Sequence, residues 1–193
     1  MKMSGLYVLL AVAITLIVSG CSVVVFRNGL PASQPLKTDK ALLGYWDVDG
    51  GSIVCTARTN GMMDIVLVEQ SGDGVRATVY EAYPAKVGDA QYLCLRLVKT
   101  TDECEKPVNS DEWLILNYRT SWRSVSLRML RFEPIRDLVH AGKLKGEVHS
   151  GTNVVGTLVS VTASSKELAD VFASMGEDAI SGTNEWVKVR RGR

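Results

Sequence analysis

Met62-Met63-Asp64-Ile65-Val66-Leu67-Val68-Glu69-Gln70-Ser71-Gly72-Asp73-Gly74-Val75-Arg76-Ala77-Thr78-Val79-Tyr80-Glu81-Ala82-Tyr83 is the stretch that decides the fold class. Aliphatic and β-branched side chains recur at every second position on both sides of a Ser-Gly-Asp-Gly break, the pattern of two strands joined by a tight turn. In the first run Met63, Ile65 and Leu67 share one face, with Asp64, Val66 and Val68 on the other, so the alternation of apolar and polar is only partial. In the second run Val75, Ala77 and Val79 alternate with Arg76, Thr78 and Tyr80. Asn60-Gly61 precedes the pair and is a strong hairpin signal, because both residues accept positive φ.

The same grammar extends in both directions. Residues 43–48, ended by Asp49-Gly50-Gly51, and residues 53–58 read as strands before the pair. After it, 92–99 alternates Leu93, Leu95 and Leu97 against Cys94 and Arg96, and 113–119 and 125–132 flank a turn near Ser121. Residues 154–161 and 185–190 complete the set, the last with Val187 and Val189 on one face. Two helices interrupt the strands. One runs from Pro134, which suits a first helical position, to Ala141, with Gly142 as its stop. The other opens on a Ser164/Glu167 capping box, carries Leu168, Val171, Phe172 and Met175 at helical spacing, and stops at Gly176. The prediction is a mainly β fold, an antiparallel meander closing in barrel-like form, with two short helices near the C-terminal half.

The 193 residues carry 22 basic and 21 acidic side chains, so there is no surplus of positive charge to draw a nucleic acid. With 46% hydrophobic and 22% charged residues the chain is not disordered as a whole. Much of the apolar content sits in residues 1–20, MKMSGLYVLLAVAITLIVSG, where Lys2 is the only charge and 6–18 is an almost unbroken apolar run. This segment, closed by Val18-Ser19-Gly20-Cys21, resembles a bacterial lipoprotein signal with its lipobox. The resemblance implies cleavage before Cys21, a diacylglyceryl group on its thiol and acylation of its new amine, hence a membrane partner reached through acylated Cys21. Ser22 in place of Asp implies the outer membrane, facing the periplasm, in a cell with two membranes; otherwise the outer face of the plasma membrane. The uncharged run 3–26, flanked by Lys2 and Arg27, is also long enough to span a bilayer, and ordinary secretion is a third alternative. Residues 28–40, with Pro31 and Pro35 and no apolar period, read as a tether. The expected organisation is therefore a leader over 1–20, lipidated Cys and tether over 21–40, and one β-rich domain over 41–193.

Gly44-Tyr45-Trp46 resembles the G-x-W opening of lipocalins and other calycins, although their T-D-Y element is absent. That resemblance implies that Trp46 closes the barrel base beneath a basic residue of the last strand, Lys188 or Arg190. The whole pattern is similar to uncharacterised bacterial lipoproteins in its lipobox, its L-x-G-x-W-like strand, its Glu81-Ala82-Tyr83-Pro84 stretch and its Thr162-Ala163-Ser164 helix start with Glu167 and Leu168. It implies an architecture and no activity.

Chemical motifs are sparse. His140 and His149 lack zinc-ligand spacing, and no nucleophile elbow, P-loop or dinucleotide fingerprint occurs, so no metal, cofactor or catalytic set is expected. Three Cys follow Cys21. Cys94 and Cys104 are the candidate disulfide, and Cys55, on the face of Ile53 and Ala57, reads as core. Trp46, Tyr80 and Tyr92 are candidate pocket residues for a small apolar ligand. Asp102, Glu103, Glu105, Asp111 and Glu112 form an acidic connection, and Arg119, Arg123, Arg128, Arg131 and Arg136 a basic counterpart; each is either a partner site or a solvated face. The functional expectation is non-enzymatic binding of an envelope protein or a small apolar ligand. The alternatives are an assembly subunit that meets other proteins through an outer sheet face and, third, a hydrolase of envelope material.

Overall fold

The computed structural model describes residues 22–32, 36–48, 50–71, 74–101, 111–150, 157–181 and 186–192. Among them are strands β1 (Val23–Phe26), β2 (Gly44–Val48), β3 (Gly51–Ala57), β4 (Met63–Ser71), β5 (Gly74–Val87), β6 (Ala90–Thr100), β7 (Trp113–Ser121) and β8 (Ser124–Met129). Helix α1 (Phe132–His140), strands β9 (Gly146–Ser150) and β10 (Thr157–Val161), helices α2 (Ser165–Met175) and α3 (Glu177–Ser181), and strand β11 (Val187–Arg191) complete the order. Strands β2 to β8 form the expected antiparallel meander, and β11 inserts between β8 and β2 to close an eight-stranded barrel.

Register decides which residues fill the barrel. Met63, Ile65 and Leu67 stand directly opposite Ala82, Tyr80 and Thr78, and on the other side opposite Ala57, Cys55 and Ile53. Directly opposed residues share a face, so Thr78, Tyr80 and Ala82 point inward and the aliphatic set Val75, Ala77 and Val79 points outward. The wall with more β-branched residues is thus the solvent side of β5, against simple polarity sorting. Leu93, Leu95, Tyr118, Val125, Leu127 and Val189 complete the interior. Trp46 caps it: its indole N–H donates to the Leu42 carbonyl at 2.8 Å, and the Arg191 guanidinium lies 5.0 Å from the ring centroid. The basic partner is therefore Arg191 and not Lys188 or Arg190. Arg191 is the residue opposite Trp46, whereas Lys188 and Arg190 have the other parity.

Strands β5, β6 and β7 also bury their outer surface at one end. Tyr83, Ala85 and Val87, Tyr92 and Cys94, and Ile115 face a second core made with Phe26, Ile135, Val159, Leu168, Phe172 and Ile180. Phe172 meets Tyr92 at 5.4 Å and Phe26 at 6.3 Å between ring centroids.

The expected tether is part of this body. β1 pairs in parallel with β10, and Phe26 sits opposite Trp113 of β7. Phe26 and Leu30 are each 1% exposed. The Asn28 amide donates to the Ala163 carbonyl at 3.0 Å, the Tyr83 hydroxyl to that of Leu30 at 2.8 Å, and the Tyr118 hydroxyl to the Asp39 carboxylate at 3.0 Å. Thr38 donates to the Gly61 carbonyl at 2.9 Å. Gly61 has φ +81°, and a Cβ there would lie 2.2 Å from the Leu36 carbonyl oxygen, so the Asn60-Gly61 turn serves both the hairpin and this contact. The domain therefore begins by Val23. Sequence periodicity is silent here because side chains and isolated backbone bonds hold residues 27–32 and 36–42, while Val23–Phe26 merge with the apolar run before them.

Smaller differences follow from packing. Phe132 opens α1 where a strand end is expected, which puts Pro134 third in the helix, still within the first turn where an N–H has no intrahelical partner. Helix α3 and strand β9 were not foreseen. At Val98 the pairing of β5 with β6 slips by one residue, and this bulged side chain is 52% exposed. Helix α2 begins as read: the Ser164 hydroxyl accepts from the Glu167 N–H and also donates to its carboxylate. The Ser164 N–H bonds the same carboxylate at 2.8 Å, and Lys145 lies 3.2 Å away.

Phe26→Ala is expected to cost about 4 kcal/mol in urea unfolding, the range for a fully buried aromatic; a tether residue would show no change. The backbone and hydroxyl bonds from Ser164, aided by Lys145, hold the Glu167 carboxyl down at about 2 against an ordinary 4.5. A depressed folded value means stability that is present above pH 4.5 and lost as pH falls toward 2. Glu167→Gln should flatten that part of the stability–pH curve, measured by thermal melts.

Candidate functional site

The outer wall of β2 to β5 carries a row that crosses four strands. Tyr45 stands opposite Val54, Val54 opposite Val66, and Val66 opposite Val79. The neighbouring row runs Asp47, Ser52, Val68 and Ala77, and beyond it Gln70 faces Val75. Adjacent partners in a sheet lie within about 5 Å at Cβ, so these side chains form one surface. Tyr45 is 46% and Val75 67% exposed, and Val54, Val66, Val68, Ala77 and Val79 are half-buried against each other. An open depression of about 310 Å³ lies between Tyr45, Gly51, Ser52, Val68, Gln70 and Val75. Among the described residues the helices pack on β1, β5, β9 and β10, at the far side of the barrel, and leave this wall bare.

One border of the apolar wall is a charge ladder in the next row, Thr56, Asp64, Glu81 and Arg96. Arg58 bridges Asp64 and Glu81, each at 2.5 Å, and Arg96 holds the second oxygen of Glu81. Arg96 also lies 5.0 Å from the Trp113 ring centroid. Glu81 is 9% exposed, and two guanidinium groups compensate its buried charge. This ladder sets where the apolar surface ends.

A second polar group lies beneath α3. Arg128 and Arg119 both reach Oε1 of Glu177, at 2.5 and 2.8 Å, and both stack on Trp186 at 4.4 Å from the ring centroid. Asn117 is 1% exposed and lies beside the Tyr92 phenol. Burial pushes the Tyr92 phenol up to about 12. Glu177 is shared by the two arginines, which makes the cluster a structural joint between barrel and helix layer.

The residues singled out in the sequence are dispersed. Trp46 and Tyr80 lie in the barrel core and Tyr92 in the second core, so the three share no pocket. Of the five arginines only Arg119 and Arg128 converge. Arg123 stacks on Trp122, Arg131 pairs with Glu133, and Arg136 pairs with Asp137. Asp111 is exposed and Glu112 half-buried; Asp102, Glu103 and Glu105 lie outside the described residues. Cys55 and Cys94 are buried free thiols, pushed by burial up to about 12 and about 11, while Cys104 and Cys21 lie outside the described residues. His140 ends α1, and His149 is on β9, 3.5 Å from Glu147. The apolar outer row was missed, although its signal was present: β4 alternates only in part because both of its faces are aliphatic.

No protein-family model, no curated protein and no solved structure matches this chain.

Removing the shared carboxylate tests the joint. Glu177→Gln removes the ion pair to buried Arg128 and is expected to lower stability by about 2 kcal/mol in denaturant unfolding, a figure reduced from that of a fully buried pair because Glu177 is 21% exposed.

Proposed function

We propose that this chain is a lipid-anchored protein of the bacterial envelope, held at the membrane through acylated Cys21, whose barrel is a non-enzymatic docking module for an envelope protein. The contiguous apolar row of Tyr45, Val54, Val66 and Val79 on the uncovered wall carries this reading. Outward valines in adjacent register gain nothing from solvent, and exposed apolar surface of this kind marks interaction sites. The lipobox at Val18-Ser19-Gly20-Cys21 supports the anchor, and Ser22 supports an outer-membrane address facing the periplasm. The stack of Arg191 on Trp46 fits the calycin-like resemblance.

Packing ranks the protein partner above a small apolar ligand. The core side chains of the barrel, Trp46, Met63, Leu67, Tyr80 and Tyr118 among them, each keep under a tenth of their surface exposed. A ligand-holding barrel exposes its inner wall to its cavity. The buried charges Glu81 and Arg128 are engaged in ion-pair networks, which favours binding over catalysis as the role.

Two measurements test the two halves of this reading. A palmitate analogue should label the native protein and not Cys21→Ser; equal labelling of the variant overturns the anchor. In-cell crosslinking should trap a protein partner with the native chain, and Val54→Asp with Val66→Lys should abolish that adduct without lowering the melting temperature. An unchanged adduct overturns the docking wall.

A further inference from the structure

Trp122 is 74% exposed at the turn between β7 and β8, with the Arg123 guanidinium 3.7 Å from its ring centroid. No strand register or core contact explains a tryptophan there. Topology links it to the N-terminus. β1 runs antiparallel to β7 with Phe26 opposite Trp113, so the chain comes into β1 from the end of the barrel at which β7 turns back into β8. Only Ser22 separates Cys21 from β1, and two residues of extended chain reach about 7 Å. The chain therefore approaches β1 from the side of this end, and an acyl group on Cys21 favours an orientation that turns it toward the bilayer.

The end is built to match. Arg190 stands opposite Ser124, and the Arg191 N–H donates to the Arg123 carbonyl at 3.0 Å, which ties the last strand to the hairpin. Lys40, in the turn that leads to β2, is exposed beside them. Among the described acids at this end Asp39 accepts from Tyr118 and Asp89 is 3.9 Å from Lys86, while Asp47 holds the pairing position across from Arg190. Against Asp39, Asp47 and Asp89 stand Lys40, Lys86, Arg123, Arg190 and Arg191, so among the described residues this end keeps net positive charge. An amphipathic indole ringed by cations is the composition that settles at a headgroup layer, where tryptophan prefers the interface and Lys and Arg are drawn to anionic lipid.

We infer that the β7–β8 hairpin end of the barrel docks on the anionic bilayer surface, with Trp122 at headgroup depth and Arg123 and Lys40 on lipid phosphates. This rests on the lipid anchoring proposed above. It also orients the molecule: the barrel stands on this end, and the apolar wall of β2 to β5 faces sideways into the periplasm, open to a protein.

The test uses the full native protein, extracted from membranes and reconstituted in phosphatidylethanolamine vesicles with added phosphatidylglycerol and brominated acyl chains. Tryptophan fluorescence is expected to be quenched by the brominated lipid. In Trp122→Ser the quenching should fall several-fold, to the level set by the other three tryptophans, while vesicle recovery stays the same. Arg123→Glu should weaken the quenching, as should omission of phosphatidylglycerol. Equal quenching of native protein and Trp122→Ser, or quenching indifferent to phosphatidylglycerol, overturns the docking while the protein still floats with vesicles. Failure to float at all overturns the anchor instead, so the two failures are distinguishable. A melting temperature unchanged in Trp122→Ser shows that the readout reports docking and not unfolding.

Discussion

Closure of the barrel by β11 is the constraint on which the rest depends. Strand β2 near the start of the domain and β8 near its middle would each present an open edge, and β11 pairs with both at once. The insertion places Arg191 over Trp46, where its guanidinium also donates to the Leu43 carbonyl at 3.0 Å. The contact therefore seals the barrel base and clamps the chain leading into β2. The interior can then be a single packed cluster from Trp46 to Val189.

Once the barrel is closed, the unequal lengths of its strands decide the two sides. β5 and β6 run past their neighbours, and their outer surfaces acquire a second core under β1, β10 and the three helices. Among the described residues the opposite wall has no such cover. Its aliphatic residues lie in register across β2 to β5, bounded by the ladder of Arg58, Asp64, Glu81 and Arg96. The fold thus separates a covered side, which provides stability, from a bare side, which is available for contact. The direction of β1 then ties a third surface, the β7–β8 hairpin end, to the N-terminus.

Much of the barrel was legible because its signals are local. The hairpin at Asn60-Gly61, the Leu93/Leu95/Leu97 alternation and the Ser164/Glu167 cap each report on a few neighbouring residues, and each is found, although at the turn only Gly61 takes positive φ. What escaped depends on contacts between distant residues. β1 has no visible period, because its partners are Leu158 to Val161, more than a hundred residues away. The faces of β5 were not readable either: Thr78 and Tyr80 go inward only because the hairpin sets them opposite Leu67 and Ile65. The candidate pocket trio fell apart for a related reason. Tyr92 and Leu93 are consecutive, yet they serve different cores, since a strand buried on both faces gives aromatic and aliphatic side chains no preferred side.

By itself the sequence determined the class of the protein: a β meander punctuated by turns, two helix positions, near-neutral charge and a leader that resembles a lipoprotein signal. These follow from period, propensity and turn chemistry, which act over a few residues. Only the tertiary structure decided that residues 23–32 and 36–42 belong to the domain, that Arg191 rather than Lys188 or Arg190 covers Trp46, and that Tyr45, Val54, Val66 and Val79 form one exposed row. Those outcomes hang on strand register and barrel closure, and a shift of one residue would turn each of these side chains to the other face.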